Sequence, residues 1–178
     1  DTYGLLGEAY TLKGTESWND AVTALDEALG LDPENPRNLV RKATLLRDQA
    51  LASESDGADG LANAENTVKQ ALEVDKGHAY AQELAAALIL DLGGDTDQAE
   101  WYLQQAAKRR ETSFGFVQQA RVMIRKGSYD EVERLINKAL KKEPSNHAAF
   151  AAQAEMWETQ GQIFHAFEAI KGAKERSH

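Results

Sequence analysis

The sequence contains no cysteine, which excludes disulfides, zinc–thiolate sites and cysteine nucleophiles. It has only three prolines, and β-branched runs are scarce while alanine is abundant, a balance that favours helix over strand. No apolar run reaches the roughly 18 residues of a membrane span. The segment 84–92 comes closest and is too short. We therefore expect a soluble, all-α protein, and the composition fits the cytoplasm and the periplasm equally well.

Positive charge is also in short supply, since the formal net charge is −9. Nucleic acids and anionic membranes are bound through basic faces, so we expect neither nucleic-acid binding nor direct membrane insertion. With 42% hydrophobic and 28% charged residues, the composition is that of a folded chain. The sequence opens at Asp1 without Met or a signal-peptide pattern, and we expect it to be a piece of a longer protein.

A pattern of small and large apolar residues occurs twice between residues 113 and 178, at an interval of 34 residues. The first copy is Phe116, Ala120, Met123, Gly127, Tyr129, Ile136 and Ala139, and the second is Phe150, Ala154, Trp157, Gly161, Ile163, Ile170 and Ala173. A period of this length is typical of a repeated helical hairpin. Antiparallel helices pack closely where the side chains at their crossing are small, and Ala154 supplies such a side chain.

The first hairpin carries this pattern in its most specific form, in the segment GEAYTLKG…AVTALDEALGLDPENP. Its marker residues are Gly7, Tyr10, Gly14, Ala21, Leu25, Ala28 and Pro33. This segment resembles the tetratricopeptide repeat (TPR) family. The resemblance implies a right-handed α-solenoid of about five helix-turn-helix hairpins in a single domain, with units at approximately 2–35, 36–78, 79–112, 113–146 and 147–178.

The second hairpin is the irregular one, because about nine more residues than the period allows lie between Ala43 and Ala64. The surplus includes residues 53–60, a polar, glycine-bearing segment that is typical of a loop. We therefore predict a first helix that continues through Leu51 and then a long loop.

No recognised catalytic motif occurs in the sequence, which lacks a phosphate loop, a nucleophile elbow and a GxGxxG turn. The four histidines include no pair at i,i+4, so a helical metal site is not expected. The aspartates near Gly57 and Gly93 do not have the spacing of an EF-hand loop, and helix capping accounts for them better. We predict a non-catalytic protein without cofactor or metal.

In a TPR stack the first helices of the hairpins line a concave groove, as the resemblance implies. The residues predicted to face a partner there are Arg37, Val40, Arg41, Thr44, Tyr80, Glu83, Ala87, Phe114, Val117, Gln118, Arg121 and Arg125. Arginine binds carboxylates in a bidentate manner, so we predict a protein or peptide partner that carries acidic groups. The alternative is that these arginines are solvated or paired with Asp48 and neighbouring glutamates.

The last predicted helix carries four large apolar residues, Ile163, Phe164, Phe167 and Ile170, although the end of a solenoid is normally polar. Phe164 and Phe167 are therefore predicted to form a terminal surface. It is either covered by a further helix that this chain lacks or used for self-association.

The leading functional hypothesis is a scaffold or adaptor in a larger, bacterial-type assembly. One narrower alternative is a periplasmic or secretion-type chaperone, because units 1–3, with their overlong second hairpin, resemble TPR domains of cytochrome c maturation factors. That resemblance implies a client such as an apocytochrome tail, and an export substrate is a related alternative. A regulatory domain of an enzyme that lies outside this chain is the contrasting hypothesis.

Overall fold

The computed structural model describes Gly4, Gly7, residues 17–53, residues 57–166 and Lys171. Within these residues every regular element is a helix, and the helices are joined by short turns. They are α1 (Trp18–Leu31), α2 (Pro36–Ala52), α3 (Ala58–Val74), α4 (Ala79–Asp91), α5 (Thr96–Ala107), α6 (Ser113–Lys126), α7 (Tyr129–Lys142) and α8 (His147–Thr159). Residues 163–166 are helical as well. The all-α prediction is confirmed.

The first helices of four hairpins, α2, α4, α6 and α8, all begin with a side-chain cap. The residue before each of α2, α4, α6 and α8 uses its side chain to accept the backbone N–H three residues further on, which satisfies a donor that the helix cannot pair internally. The capping residues are Asn35, His78, Thr112 and Asn146. After α4, α6 and α8 the chain leaves the helix through Gly93, Gly127 and Gly161, each with φ near +70°. This left-handed conformation favours glycine and explains the glycines of the repeat pattern.

The second hairpin differs from its prediction, because part of the predicted loop is helical. Residues 54–56 of that loop lie outside the described residues. Both α2 and α3 have 17 residues, and α3 already begins at Ala58, inside the segment predicted as loop. The glycines of that segment allow close helix packing. A Cβ atom at Gly60 would lie 2.8 Å from the Cβ of Ala50, and one at Gly57 would lie 2.4 Å from the Ala50 carbonyl oxygen. The extension of α2 through Leu51 is confirmed.

The contacts divide the chain into two compact units, Asp1–Gly94 and Asp95–His178. In the first unit α2 packs against α1, α3 and α4, and α3 also packs against α4. In the second unit α6 packs against α5, α7 and α8, and α7 also packs against α8. The core of the second unit includes Phe116, Leu135, Ile136 and Met156. The division into five repeat units of one domain stays a prediction.

Helix α4 is enclosed on all sides. Every residue from Ala81 to Leu90 is buried, including Gln82 and Glu83. A helix that is apolar around most of its circumference is expected to be surrounded by protein. Helix α4 is therefore an internal helix, and its N-terminal end at Ala79 and Tyr80 is the half-buried part.

Candidate partner-binding site

The α2 face, formed by Arg37, Arg41, Thr44 and Asp48, is the part of the predicted groove that remains accessible in the first unit. Arg37 is exposed, and the other three side chains are partly exposed. Arg41 donates through Nη1 to the Oδ1 atom of Asn38 at 3.3 Å, and Asn38 is fully buried. A buried neutral amide therefore orients the Arg41 guanidinium.

Helix α4 meets this face through Tyr80, which lies within hydrogen-bonding reach of the Thr44 hydroxyl. Burial is the main cause that raises the pKa of Tyr80 above its usual value, and the nearby carboxylate of Asp48 adds to the effect. Burial also raises the pKa of Asp48, while Arg47 opposes the shift. The α2 face thus ends in a carboxylate that is partly withdrawn from water.

Further along the two helices, Arg47 of α2 binds Asp91 of α4. The Nε–Oδ2 distance is 2.6 Å, and the side chains are 13% and 5% exposed. Neither residue was predicted to face a partner, and Asp91, one of the aspartates near Gly93 expected to cap helices, instead pairs with Arg47. The signal was present, because Arg47 follows Thr44 by three positions and Asp91 follows Ala87 by four, so both continue the predicted helical stripes.

The α6 face, formed by Phe114, Arg121 and Arg125, is the corresponding surface of the second unit. Arg125 is exposed, and Phe114 and Arg121 are partly exposed. Arg121 donates through Nη1 to Oε1 of the buried Gln118 at 2.9 Å. Arg41 and Arg121 therefore share one arrangement, in which the guanidinium is held by a buried amide that lies three residues earlier.

The remaining predicted partner-facing residues are closed to solvent in this structure. Those buried are Val40, Glu83, Ala87, Val117 and Gln118. In the predicted terminal surface, Phe164 is 72% exposed, and Phe167 lies outside the described residues. The neighbouring Ile163 is 68% exposed. A partner role for any of these residues stays a prediction, and the accessible part of the predicted site is the arginine-bearing part.

A separate groove of about 250 Å³ lies between α5 and α7, over α6. Leu103, Phe116 and Leu135 form part of its apolar floor, and Lys138 Nζ lies 5.1 Å from the centre of the Phe116 ring. Its lining includes no residue of the α6 face. The sequence pattern did not indicate this groove, because its lining residues are spread over three helices.

Over the part of the chain that the structure describes, no group of three or more His, Cys, Asp or Glu side chains is arranged to hold a metal ion. Within the same residues, no helix has the length and apolar character that a membrane span requires.

Comparison with known proteins gives the fold. No protein-family model matches the sequence, and no curated protein matches it at a significant level. Solved structures do match. A tetratricopeptide repeat protein from Parabacteroides merdae superposes with a TM-score of 0.70 at 18% identity, over 95% of this chain and 62% of that one. PilW, a type IV pilus biogenesis factor, superposes with a TM-score of 0.74 at 17% identity, over 99% of this chain and 76% of that one.

Human IFIT1, solved as a dimer with m7Gppp-AAAA, superposes with a TM-score of 0.74 at 21% identity. The match covers 91% of this chain but only 39% of IFIT1. At these identities the likeness establishes the fold and leaves the activity open. The resemblance drawn from the 34-residue pattern is confirmed, and the chain is a helical solenoid of the tetratricopeptide-repeat type.

Proposed function

We propose that this protein is a non-catalytic interaction module that holds an acidic polypeptide segment against its α2 face. The observation that carries the proposal is the pair Arg37 and Arg41, one helical turn apart and accessible, with Arg41 fixed by the buried Asn38 amide. Stacked helical hairpins offer extended surfaces of this kind to partner chains. The α6 face, with Arg121 held by Gln118, would serve as a second contact of the same chemistry.

The arrangement favours carboxylates as the groups recognised. A guanidinium presents its donors in a rigid planar fork that matches a carboxylate, and a partly buried setting strengthens the pairing. Because the amide of Asn38 already orients Arg41, less side-chain freedom is lost when a partner binds. Tyr80 and Thr44 lie beside the arginines and can accept or donate hydrogen bonds to a partner backbone.

RNA is the less favoured partner class for this chain. The likeness to IFIT1, which was solved with a capped oligonucleotide, is a likeness of fold at 21% identity. A net charge of −9 opposes the phosphate contacts on which nucleic-acid affinity depends. Insensitivity of partner recovery to nuclease treatment would agree with a polypeptide partner.

A narrower version of the proposal is a chaperone that holds a client chain for export or assembly, such as an export substrate or an apocytochrome tail. PilW, which has the same fold over 99% of this chain, is an example of such a chain that serves as a type IV pilus biogenesis factor. Fluorescence titration with an apocytochrome C-terminal peptide tests the apocytochrome form, and a flat titration would remove it. An enzyme-regulating domain is the contrasting proposal, and the domains next to this segment in the full-length gene would decide it.

Charge reversal tests the main proposal. The Arg41→Glu/Arg121→Glu double variant should recover its polypeptide partner at least about tenfold less well than wild type in a quantitative pull-down, since each lost charge-assisted contact is worth roughly 1.5–3 kcal/mol. Lys69→Glu is the matched control, because Lys69 is an exposed cation of α3 that lies outside both faces. Equal recovery with the double variant and wild type would overturn the proposal.

A further inference from the structure

His78 caps α4 in a way that depends on its protonation state. Its Nδ1 atom accepts the backbone N–H of Ala81 at 3.2 Å. The equivalent caps of α2, α6 and α8 are Asn35, Thr112 and Asn146, whose side chains do not titrate in the physiological range. Histidine is the side chain that gains a proton between pH 8 and pH 5.

Only the neutral imidazole can make this cap. A ring nitrogen accepts a hydrogen bond through its lone pair, and protonation turns both ring nitrogens into donors. A protonated His78 would then direct an N–H at the N–H of Ala81 and place a positive charge at the positive end of the α4 dipole. Acidification therefore removes one cap hydrogen bond and adds a repulsion at the same place.

The bond to the Ala81 N–H is the hydrogen bond that the structure gives the His78 side chain. Within the described part of the chain, the imidazole forms no ion pair and no ring contact, and the side chain is partly exposed to solvent. The nearest charged or titratable residues along the chain are Glu73 at the end of α3, Asp75 and Lys76 in the turn, and Tyr80 and Glu83 on α4. Helix α2, which packs against α4, carries Arg37 and Arg41 in its first turns. The Asp75 carboxylate accepts the Gly77 N–H at 3.0 Å, so it is engaged in the turn.

The helix that His78 caps is buried along most of its length. Ala81, whose N–H receives the cap, is fully buried, and α4 packs against both α2 and α3. A loosened N-terminus of α4 therefore disturbs the packing of three helices and the Tyr80–Thr44 contact, whereas loss of a cap on a surface helix would remain local.

We propose that His78 is a pH-sensitive cap, which stabilises the first unit while the imidazole is neutral and releases α4 as the medium acidifies. The cap requires the lone pair of the neutral ring, so its stabilisation is present while the ring is neutral and is lost when acidification protonates it. This device does not depend on the identity of any partner, so it stands or falls separately from the proposed function.

Thermal unfolding of wild type, His78→Asn and His147→Asn at pH 7.5 and 5.5 tests the proposal. Asparagine does not titrate, and Asn35 and Asn146 make the same cap at equivalent positions. Wild-type Tm should fall by roughly 2–4 °C more than that of His78→Asn between the two pH values. His147, an exposed residue at the start of α8, provides a matched control, and His147→Asn should behave as wild type. Equal falls in wild type and His78→Asn would overturn the proposal.

Nitrogen-15 NMR of the histidine rings gives a second readout that global stability does not influence. At pH 7.5 His78 should be the tautomer with Nε2 protonated and Nδ1 free to accept. Protection of the Ala81 amide from hydrogen exchange, corrected for the intrinsic pH dependence, should drop at pH 5.5 in wild type and persist in His78→Asn. A protonated Nδ1 at pH 7.5, or an Ala81 amide protected equally at both pH values, would contradict the proposed cap.

Discussion

Arg47 and Asp91 join the first helices of two successive hairpins within the first unit. The guanidinium Nε of Arg47 on α2 lies 2.6 Å from Oδ2 of Asp91 at the last residue of α4. At 13% and 5% exposure, both charges have largely left water, and the ion pair offsets part of the cost of burying them. The same guanidinium lies 3.8 Å from the Asp48 carboxylate, which links the ion pair to the end of the α2 face.

Removal of one member of this pair should be costly. Arg47→Met leaves the Asp91 carboxylate buried without its arginine, and we expect a loss of roughly 3–5 kcal/mol in the free energy of unfolding. The double variant Arg47→Met/Asp91→Leu should recover most of that loss, since apolar groups of similar size replace buried ion pairs well. Urea denaturation measures both values. If the free energy of unfolding of Arg47→Met lies within about 0.5 kcal/mol of the wild-type value, the ion pair does not stabilise the first unit as described.

The carboxyl group of Asp48 should make the protein less stable as it ionises. Burial raises its pKa, so the fold favours the protonated acid, and stability is lost as the pH rises through that pKa. Asp48→Asn, which imitates the neutral acid, should therefore unfold at a higher urea concentration than wild type at pH 7. Because 45% of the side chain is exposed, we expect a small gain.

The gain from Asp48→Asn should shrink as the medium is acidified through the raised pKa of Asp48, because the wild-type carboxyl group is then protonated as well. Glu133→Gln, at an exposed position of α7, is the control and should show no such gain. A gain that is constant with pH would assign the effect of Asp48→Asn to something other than ionisation.

The packing around Ala154 on α8 should not accept a larger side chain. Ala154 of α8 is 5% exposed, and Ala166 is 3% exposed. Ala154→Leu should destabilise the protein by about 1–3 kcal/mol through overpacking. Ala151→Leu provides the matched control, because Ala151 lies on the same helix and is exposed. Calorimetry that finds equal Tm values for the two variants would count against the repeat register.

Two glycines should respond to alanine in opposite directions. Gly127 ends α6 with φ at +72°, where a Cβ atom is strained, so Gly127→Ala should cost about 1–2 kcal/mol. Gly30 lies within α1 with no atom within 4 Å of an added Cβ and an ordinary φ, so Gly30→Ala should stabilise by roughly 0.5–1 kcal/mol. Chemical denaturation of the pair checks both signs, and destabilisation by Gly30→Ala would show that the α1 helix is not as described.

The sequence predicted the helices well because the residues that define them act locally. Gly127 and Gly161, which belong to the repeat pattern, end their helices, and the extension of α2 through Leu51 followed from the surplus of residues over the repeat period. The predicted loop at residues 53–60 was wrong from Ala58 onwards, because Gly57 and Gly60 serve the close approach of α3 to Ala50. A glycine that admits a neighbouring helix and a glycine that breaks a helix look alike in a sequence.

The candidate site was harder to predict, since burial depends on packing between helices. Spacing alone put Val40 and Glu83 on the same stripes as Arg37 and Tyr80, yet the structure buries the first two and leaves the others accessible. Helix α4 is enclosed on every side, and no periodic signal marks one of its faces as open. The repeat pattern also did not indicate that the buried amides of Asn38 and Gln118 hold Arg41 and Arg121.

The central claim is that the arginine-bearing faces hold a polypeptide, and comparative affinity purification tests it most directly. Wild type, Arg41→Glu/Arg121→Glu and Lys69→Glu would be used as bait under nuclease treatment, with recovered chains quantified by mass spectrometry. We predict a set of polypeptides that bind wild type and Lys69→Glu equally, fall at least about tenfold with the double variant, and share acidic segments. The same polypeptides in equal amounts from all three baits would contradict the account.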